Sequence, residues 1–274
     1  MNGKNKTKVL LAFHYNLEFC FYQALLDLSE NIIYDKQRKN IINMMECFMR
    51  IQFIQDIIDL LRKKNKNKNI GCNNIINIDN KVNCLYTVEG NNNFIDISSK
   101  KTSEPQNLKI NIRGSNNRII IKNLRTANLF IDIGNYIDCN NVEIEILDNF
   151  VCAQAHILGY QSNTPIKIGA NCLFSKDICI RNGELPHAIY DINTFENFDK
   201  SQGIFIGNHV WIGEHAYIMK KSQIQDDSIV GAMSVVTKAF NESNVLIAGN
   251  PAKICKRNIM WEEDANKVTS LNSR

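Results

Sequence analysis

One period dominates this sequence, because between positions 206 and 236 an aliphatic residue recurs at every sixth position. The series reads Ile206, Ile212, Ile218, Ile224, Val230 and Val236. A helix repeats after about 3.6 residues and a strand after about two, so neither explains a period of six. A triangular solenoid does, because each side of the triangle takes one hexapeptide and points its aliphatic residue inward. The series therefore predicts a mainly β fold, a β-helix with three short strands per coil.

Upstream of this series, Asn-rich corners alternate with β-branched runs. NNIINI begins at 73, NNNFIDI at 91, SNNRIII at 115 and NNVEIEI at 140. Asn tolerates the positive φ of a sharp corner, and β-branched residues favour strands, here expected to be three to five residues long. Because the runs are 18 to 25 residues apart, each corresponds to one coil. We predict that the solenoid covers residues 69–250.

Two segments flank the predicted solenoid, residues 1–68 and residues 251–274. From about residue 17 to residue 64, apolar residues recur at helical spacing, which predicts an N-terminal helical segment with a buried seam. Its Met-rich face would also suit a partner or a peripheral contact with a membrane. The stretch KKNKNKN at 63–69 is typical of a solvated linker. The residues after 250 are expected to form a short C-terminal tail.

Composition excludes several classes of protein. A net charge of +4 over 274 residues is too small for a nucleic-acid footprint. Nine cysteines without a C-x-x-C pair argue against a disulfide framework and against a thiolate zinc site. The first apolar run is broken by His14, Asn16 and Glu18, so we predict neither a signal peptide nor a spanning helix and expect a cytoplasmic protein.

The six-residue phase, visible at Ile168, Phe174 and Ile180, is interrupted over residues 181–205. This stretch holds too many polar residues for a solenoid side, so it is expected to leave the stack as a loop. Loops on a rigid scaffold commonly carry function. The loop contains His187, and an imidazole that titrates near neutrality can act as a general base.

Four motifs resemble one known family. They are PHAIYD at 186, IGNHVWIGEHAYI at 206, SIVGAMSVVTK at 228 and IAGNPAK at 247. Together they are similar to the hexapeptide-repeat O-acetyltransferases of capsular and lipopolysaccharide sugars, over roughly residues 166–261. The resemblance implies a left-handed β-helix, acetyl-CoA as cosubstrate, a glycan acceptor, and a homotrimer with active sites between neighbouring subunits. Sialic acid, hexose and N-acetylhexosamine acceptors all stay open.

The resemblance also implies roles for particular residues. His187 matches the family's base, and Trp211 matches the tryptophan that shapes the acetyl and acceptor pocket. Tyr190 is a candidate substrate contact. A general base usually has an orienting partner, for which Glu184 and Asp191 are the candidates in the loop.

Acetyl-CoA is expected along the coil edge that follows the loop. The family pattern maps onto Gly213, Ala232, Thr237, Lys238, Lys253 and Lys256. The last two lysines follow the final coil and suit the phosphates of CoA. Two residues depart from the pattern: Met233 stands where Gly is common, and Glu214 where a small polar residue is usual. Either could narrow or re-aim the pantetheine slot.

His209 and His215 suggest a zinc-dependent carbonic anhydrase of the same solenoid shape. They lie six residues apart, one full side of the triangle, and so point away from each other. Zinc needs three convergent protein ligands. We therefore predict no metal.

Three alternatives to sugar O-acetylation stay open. Two are enzymes of the same fold, a serine acetyltransferase and an N-acetyltransferase acting on a sugar-nucleotide amine. The third is a β-helix scaffold without activity, for which an intact His187 and Trp211 would be unnecessary.

Overall fold

The computed structural model describes residues 67–197 and 200–264, which form a parallel β-solenoid. It is a left-handed β-helix, as the family resemblance implied, and its later coils follow the six-residue period. The predicted N-terminal helical segment lies outside the described residues as far as residue 66. The part of the chain that is described includes no helix long and apolar enough to cross a membrane.

The solenoid is built from strands that follow one another around the coils. In chain order they are β1 (Lys68–Ile70), β2 (Ile75–Ile78), β3 (Asn83–Glu89), β4 (Phe94–Ser99), β5 (Gln106–Arg113), β6 (Arg118–Leu124), β7 (Thr126–Ile133), β8 (Glu143–Ile146), β9 (Val151–Gly159), β10 (Pro165–Ile168), β11 (Leu173–Phe174), β12 (Ile178–Arg181), β13 (Ile204–Ile206), β14 (Trp211–Ile212), β15 (Tyr217–Met219), β16 (Gln223–Ile224), β17 (Ile229–Val230), β18 (Val235–Val236), β19 (Val245–Gly249) and β20 (Ala252–Arg257). All pair in parallel except β19 with β20.

Three faces can be followed through the stack. Face 1 contains β2, β4, β6, β8, β10, β13 and β16, face 2 contains β11, β14, β17 and β19, and face 3 contains β12, β15 and β18. Two strands that follow Asn-rich corners are longer than expected, since β4 has six residues and β6 seven.

The cross-section of the solenoid changes at β9. Residues Val151–Cys152 of this strand pair with β11, whereas Ala155–Leu158 pair with β12. Below it, β3, β5 and β7 run on as single strands of seven to eight residues. In the early coils one strand therefore spans both face 2 and face 3, and these faces have separate strands only after β9.

Left-handed corners repeat with the same period as the aliphatic residues. Positive φ values between 52° and 69° occur at Asn171, Asp177, His209, His215, Lys221, Asp227 and Met233. Each marks the bend between two sides of the triangle. His209 and His215 are thus corner residues, which agrees with their expected divergence.

The six aliphatic residues that defined the period all point inward. Their side chains are between 0% and 4% exposed. Fully buried Ser222, Ser228 and Ser234 stand between them, and the Ser222 hydroxyl donates to the carbonyl oxygen of Val236 at 3.0 Å. The core is a continuous apolar column because each coil alone is too thin to bury its inward face.

A buried ladder of asparagines stabilises the corners of the early coils. The side chain of Asn117 accepts the N–H of Val142 at 2.9 Å and donates to the carbonyl oxygen of Cys139 at 2.9 Å. Asn93 occupies the same place one coil earlier and accepts the N–H of Asn117 at 3.0 Å. Because buried backbone groups need partners, these amides replace the water that a corner would otherwise bind.

The predicted tail begins with a strand, because Ala252–Arg257 pairs antiparallel with β19. The chain then runs along the corners that precede face 2 as residues 258–264, which we call the C-terminal strap. Trp261 in this strap stacks on His209 with ring centroids 4.1 Å apart, and its Nε1 donates to the His209 carbonyl at 2.9 Å. Glu263 accepts two hydrogen bonds from the guanidinium of Arg125, each 2.7 Å long.

Candidate active site

The loop that leaves β12 and returns at β13 is the largest interruption of the solenoid. The N–H of Ala170 donates to Asn208, 38 residues away, across this loop, whereas Asn208 donates to Asp226, 18 residues away, in the regular coils. Within the loop, Tyr190 forms an antiparallel bridge with Asn197. The insertion therefore has internal structure of its own.

His187 lies near the beginning of this loop, and its side chain is exposed. Its backbone N–H donates to the carbonyl oxygen of Glu184 at 3.0 Å, which closes a turn directly after β12. The turn is thus attached to a rigid strand of face 3. The imidazole is held near a fixed point of the solenoid and stays open to a substrate.

Glu184, the first candidate for orienting the imidazole, has other partners in the chain. Its carboxylate lies 3.2 Å from Nη2 of Arg181 and 3.6 Å from Nζ of Lys220. These contacts tie the base of the loop to the neighbouring coil. Within the described chain, Glu184 contacts His187 through its backbone carbonyl oxygen and not through its carboxylate.

Asp191, the second candidate, organises the loop itself. Its Oδ1 accepts the backbone N–H groups of Asn193 at 2.8 Å and Thr194 at 2.9 Å. The hydrogen bonds from Thr194 and Asn193 lower the pKa of Asp191 below its ordinary value of 3.8 and favour the carboxylate. Its negative charge therefore stabilises a turn.

Trp211 projects outward from β14, and its side chain is 38% exposed. Its Nε1 donates to Oγ of Ser175 in the preceding coil at 3.2 Å. The ring of Trp261 lies 6.0 Å away at an interplanar angle of 45°. The indole is therefore held between the solenoid and the C-terminal strap, with one surface open.

His187 and Trp211 are presented on different sides of the triangle. Trp211 belongs to face 2, whereas the loop of His187 departs after the face 3 strand β12. No contact joins the two side chains in the described chain. Within one chain these two candidate residues therefore lie apart.

The residues expected to bind acetyl-CoA are spread over the last coils. Ala232, Thr237, Lys238, Lys253 and Lys256 are all exposed. Ala232 precedes the face 3 strand β18 and Thr237 and Lys238 follow it, whereas Lys253 and Lys256 lie on β20. A Cβ on Gly213 would lie 2.6 Å from the backbone nitrogen of Ala232, so Gly213 allows the next coil to approach closely.

The two residues that depart from the family pattern lie at one corner. Met233 has a φ of 57° and is 74% exposed. Its N–H donates to the carbonyl oxygen of Glu214 at 2.8 Å. Met233 therefore adopts a left-handed conformation that Gly would adopt at lower cost.

Comparison with known proteins identifies the family. The family model for bacterial transferase hexapeptide (six repeats) matches residues 203–238. The polysialic acid O-acetyltransferase of Neisseria meningitidis is 32% identical over 198 residues, which cover 65% of this chain and 89% of that protein. This chain belongs to the hexapeptide-repeat O-acetyltransferases. The expected enzyme class, an acyl-CoA-dependent acetyltransferase, is therefore confirmed.

Two further comparisons extend this relationship. The crystal structure of the polysialic acid O-acetyltransferase OatWY has a TM-score of 0.62 and 27% identity, covering 74% of this chain and 97% of that chain. The polysialic acid O-acetyltransferase of Escherichia coli O1:K1 / APEC is 34% identical over 96 residues, and the match spans 31% of its length.

The cysteines of this acetyltransferase that lie in the core are held as thiols. Burial raises the pKa of Cys84, Cys152 and Cys172 to about 12 in each case. Burial also raises the pKa of Cys179, which precedes the loop. A thiolate is the nucleophilic form of cysteine, so none of these four is prepared for attack on a thioester.

The described residues of the enzyme contain no group of three or more His, Cys, Asp or Glu side chains arranged to hold a metal ion. His209 instead contacts Asp227, with Nδ1 and Oδ1 2.8 Å apart, and His215 lies 3.8 Å from Asp177. Each corner histidine is thus paired with one carboxylate.

Two residues near Trp211 were not singled out from the sequence. Ser175 accepts its Nε1–H, and Trp261 packs beside it. They are 36 positions before and 50 positions after it in the chain. In a regular solenoid, the partner of a residue in the preceding coil lies 18 to 25 positions earlier in the chain. For Trp211 and Ser175 the inserted loop lengthens this separation to 36 positions.

Proposed function

We propose that this enzyme transfers the acetyl group of acetyl-CoA to a hydroxyl of a cell-surface glycan, with His187 as the general base. The hydroxyl oxygen attacks the thioester carbonyl while the imidazole takes the hydroxyl proton. The carbon–sulfur bond then breaks, and the imidazolium returns the proton to the CoA thiolate. Transfer is direct and forms no acetyl-enzyme.

One observation carries this proposal: an exposed imidazole on a loop anchored to the solenoid, in a chain whose core thiols are un-ionised. An oxygen nucleophile needs only a base near neutral pKa, because the thioester is already activated. Relatives named as polysialic acid O-acetyltransferases support a polysaccharide acceptor. Sialic acid is therefore the first acceptor to test.

The proposal is tested by measuring CoA release with a panel of sialic acid oligomers, neutral oligosaccharides, serine and an amino sugar nucleotide. We expect glycans alone to support turnover. His187→Ala should lower kcat by about 10²–10⁴-fold and leave acetyl-CoA affinity nearly unchanged, because only transition-state stabilisation is lost. His156→Ala is the matched control, since His156 is an exposed histidine on β9, outside the loop. Turnover with serine alone, or an acetyl-cysteine that turns over, would exclude the mechanism.

We also infer that the active enzyme is a homotrimer in which His187 of one subunit meets Trp211 of another. The two side chains lie on different faces of one chain, and cyclic symmetry brings different faces of neighbouring copies together. Light scattering should give three times the chain mass. A stable monomer with full activity would contradict this arrangement.

A complementation experiment tests the shared site directly. Inactive His187→Ala and Trp211→Ala chains are co-expressed at equal levels, so that mixed trimers form. If each site uses both residues from different chains, about one quarter of the sites are intact and activity returns to about that fraction. If each site lies within one chain, the mixture stays inactive.

For acetyl-CoA, we propose that Lys253 and Lys256 bind the phosphates. Both side chains are exposed on β20, and their charges suit an anionic ligand. The double change to Gln should raise the Kd for acetyl-CoA about tenfold or more and leave kcat nearly intact. An unchanged Kd by calorimetry would place the phosphates elsewhere.

A further inference from the structure

A groove of about 580 Å³ lies on the outside of the solenoid beside Trp211. Asn107, Asn128, Lys176 and Glu214 line it with polar groups, and Ala153 lies on its floor. We call it the corner groove. Its volume is within the range of about 300–1,000 Å³ typical of small-molecule sites. The reaction described above assigns it no role.

The corner groove lies where the strand pattern of the solenoid changes. The pairing of β7 with β9 is irregular between Ala127 and Leu129, and β9 changes partner after Cys152. In the next coil the chain passes Ser175 and reaches a left-handed corner at Asp177, with a φ of 56°. The strands beneath continue without such a corner. Residues of both kinds of coil line the groove, which lies where these coils meet.

Ser175 connects the corner groove with the candidate active site. It lines the groove, and its Oγ accepts the Nε1–H of Trp211 at 3.2 Å. From there the groove reaches back to Pro105 and Asn107, in coils nearer the N-terminus. The lysines proposed for the CoA phosphates, Lys253 and Lys256, lie on β20, after the last coil. The groove is therefore separate from these lysines and is available to the acceptor.

The lining of the corner groove suits a sugar. Small apolar side chains on its floor match the C–H face of a pyranose ring, and amides at its rim match hydroxyl groups. Asn107 accepts a hydrogen bond from Asn83 at 2.7 Å and keeps its own amide hydrogens for a ligand. Glu214 offers a carboxylate as a hydroxyl acceptor. Lys176 is exposed and has no carboxylate partner in residues 67–197 or 200–264.

We propose that the corner groove binds the sugar residue next to the one that is acetylated, and that Lys176 pairs with a carboxylate on that residue. The acceptor is then an acidic oligosaccharide of at least two residues. This inference rests on the proposed glycan acetylation and specifies its substrate. It predicts that the enzyme prefers an oligomer over the single sugar because the neighbouring residue adds binding energy.

The test compares sialic acid acceptors of one, two and four residues, with a glucose tetramer as the neutral probe. In the wild-type enzyme, kcat/KM should rise at least tenfold from one residue to two. Lys176→Gln should lower this preference about tenfold, since a charge-assisted hydrogen bond is lost. Ala153→Trp should do the same by filling the floor. Lys81→Gln, an exposed lysine outside the groove, should keep the wild-type preference.

Binding measured by calorimetry without acetyl-CoA separates the two levels of inference. The sialic acid tetramer should bind the wild-type enzyme and the Lys81 variant equally well. It should bind the Lys176 variant about tenfold more weakly. If wild type acetylates glycans but both groove variants keep its length preference, the groove proposal is wrong and the proposed function stands. If no glycan is acetylated, the proposed function fails. If, in addition, Lys176→Gln does not weaken binding of the tetramer, the groove proposal is wrong as well. Equal binding of the glucose tetramer would refute the carboxylate contact.

Discussion

Replacing Asn117 with Ala tests whether the buried asparagine ladder stabilises the early coils. The side chain is 1% exposed and makes two hydrogen bonds of 2.9 Å, one to an N–H and one to a carbonyl group of the next coil. Alanine leaves both backbone groups buried without a partner. Each unsatisfied group costs about 1–3 kcal/mol, so we expect the free energy of unfolding to fall by about 2–6 kcal/mol. That loss is a large part of the stability of a typical domain, about 5–15 kcal/mol.

Urea denaturation followed by circular dichroism measures this loss as a shift of the midpoint. Asn111→Ala is the matched control. Asn111 lies on β5, the strand that leads into the corner of Asn117, and its side chain forms no hydrogen bond in the described chain. The control should change stability by no more than about 0.5 kcal/mol. An Asn117→Ala variant as stable as the control would show that the buried amide does not stabilise the corner, because water would then reach the corner and replace it.

Three further predictions concern the candidate site and its support. Trp261→Ala should lower kcat/KM and the melting temperature together, because it removes the stacking partner of His209 and the neighbour of the candidate residue Trp211; unchanged kinetics would show that the strap does not position the indole. Gly213→Ala should destabilise the fold by about 1–3 kcal/mol in thermal unfolding, since its Cβ would lie 2.6 Å from a backbone nitrogen, and Gly231→Ala, with 3.0 Å to a side chain, should cost less. The pKa of Asp191, followed by NMR, should lie below its ordinary value of 3.8. Its contribution to loop stability is therefore present above pH 3.8 and is lost as the pH falls through the lowered pKa. A pKa at or above 3.8 would contradict the hydrogen bonds of this turn.

The six-residue period predicted the later coils well because the signal is local. All six residues of the aliphatic series from Ile206 to Val236 are buried, since each hexapeptide contributes one side of the same triangle. The early coils were predicted less well. Their Asn-rich runs marked the corners of face 1, but no pattern indicated that the other two faces merge into the long strands β3, β5, β7 and β9.

At the candidate site, the sequence identified residues but not their contacts. The motif around His187 singled out the imidazole, and its role as the base stays a prediction. The loop also contains Glu184 as a candidate orienting partner, but its carboxylate contacts Arg181 and Lys220, the latter 36 positions further along the chain. Side-chain pairing depends on which coil stacks next, and that information is not local.

The sequence by itself determined the repeat, the inward and outward sides of each later coil, and the loop that carries His187. This was possible because each short stretch of a solenoid forms one complete structural unit. Only the tertiary structure decided what surrounds Trp211. The strap residue Trp261 is 50 positions away in the chain, and the corner groove is formed by residues from 105 to 214. Stacking brings these distant residues together, since each coil packs on its neighbours and the groove lies where coils with and without a left-handed corner meet.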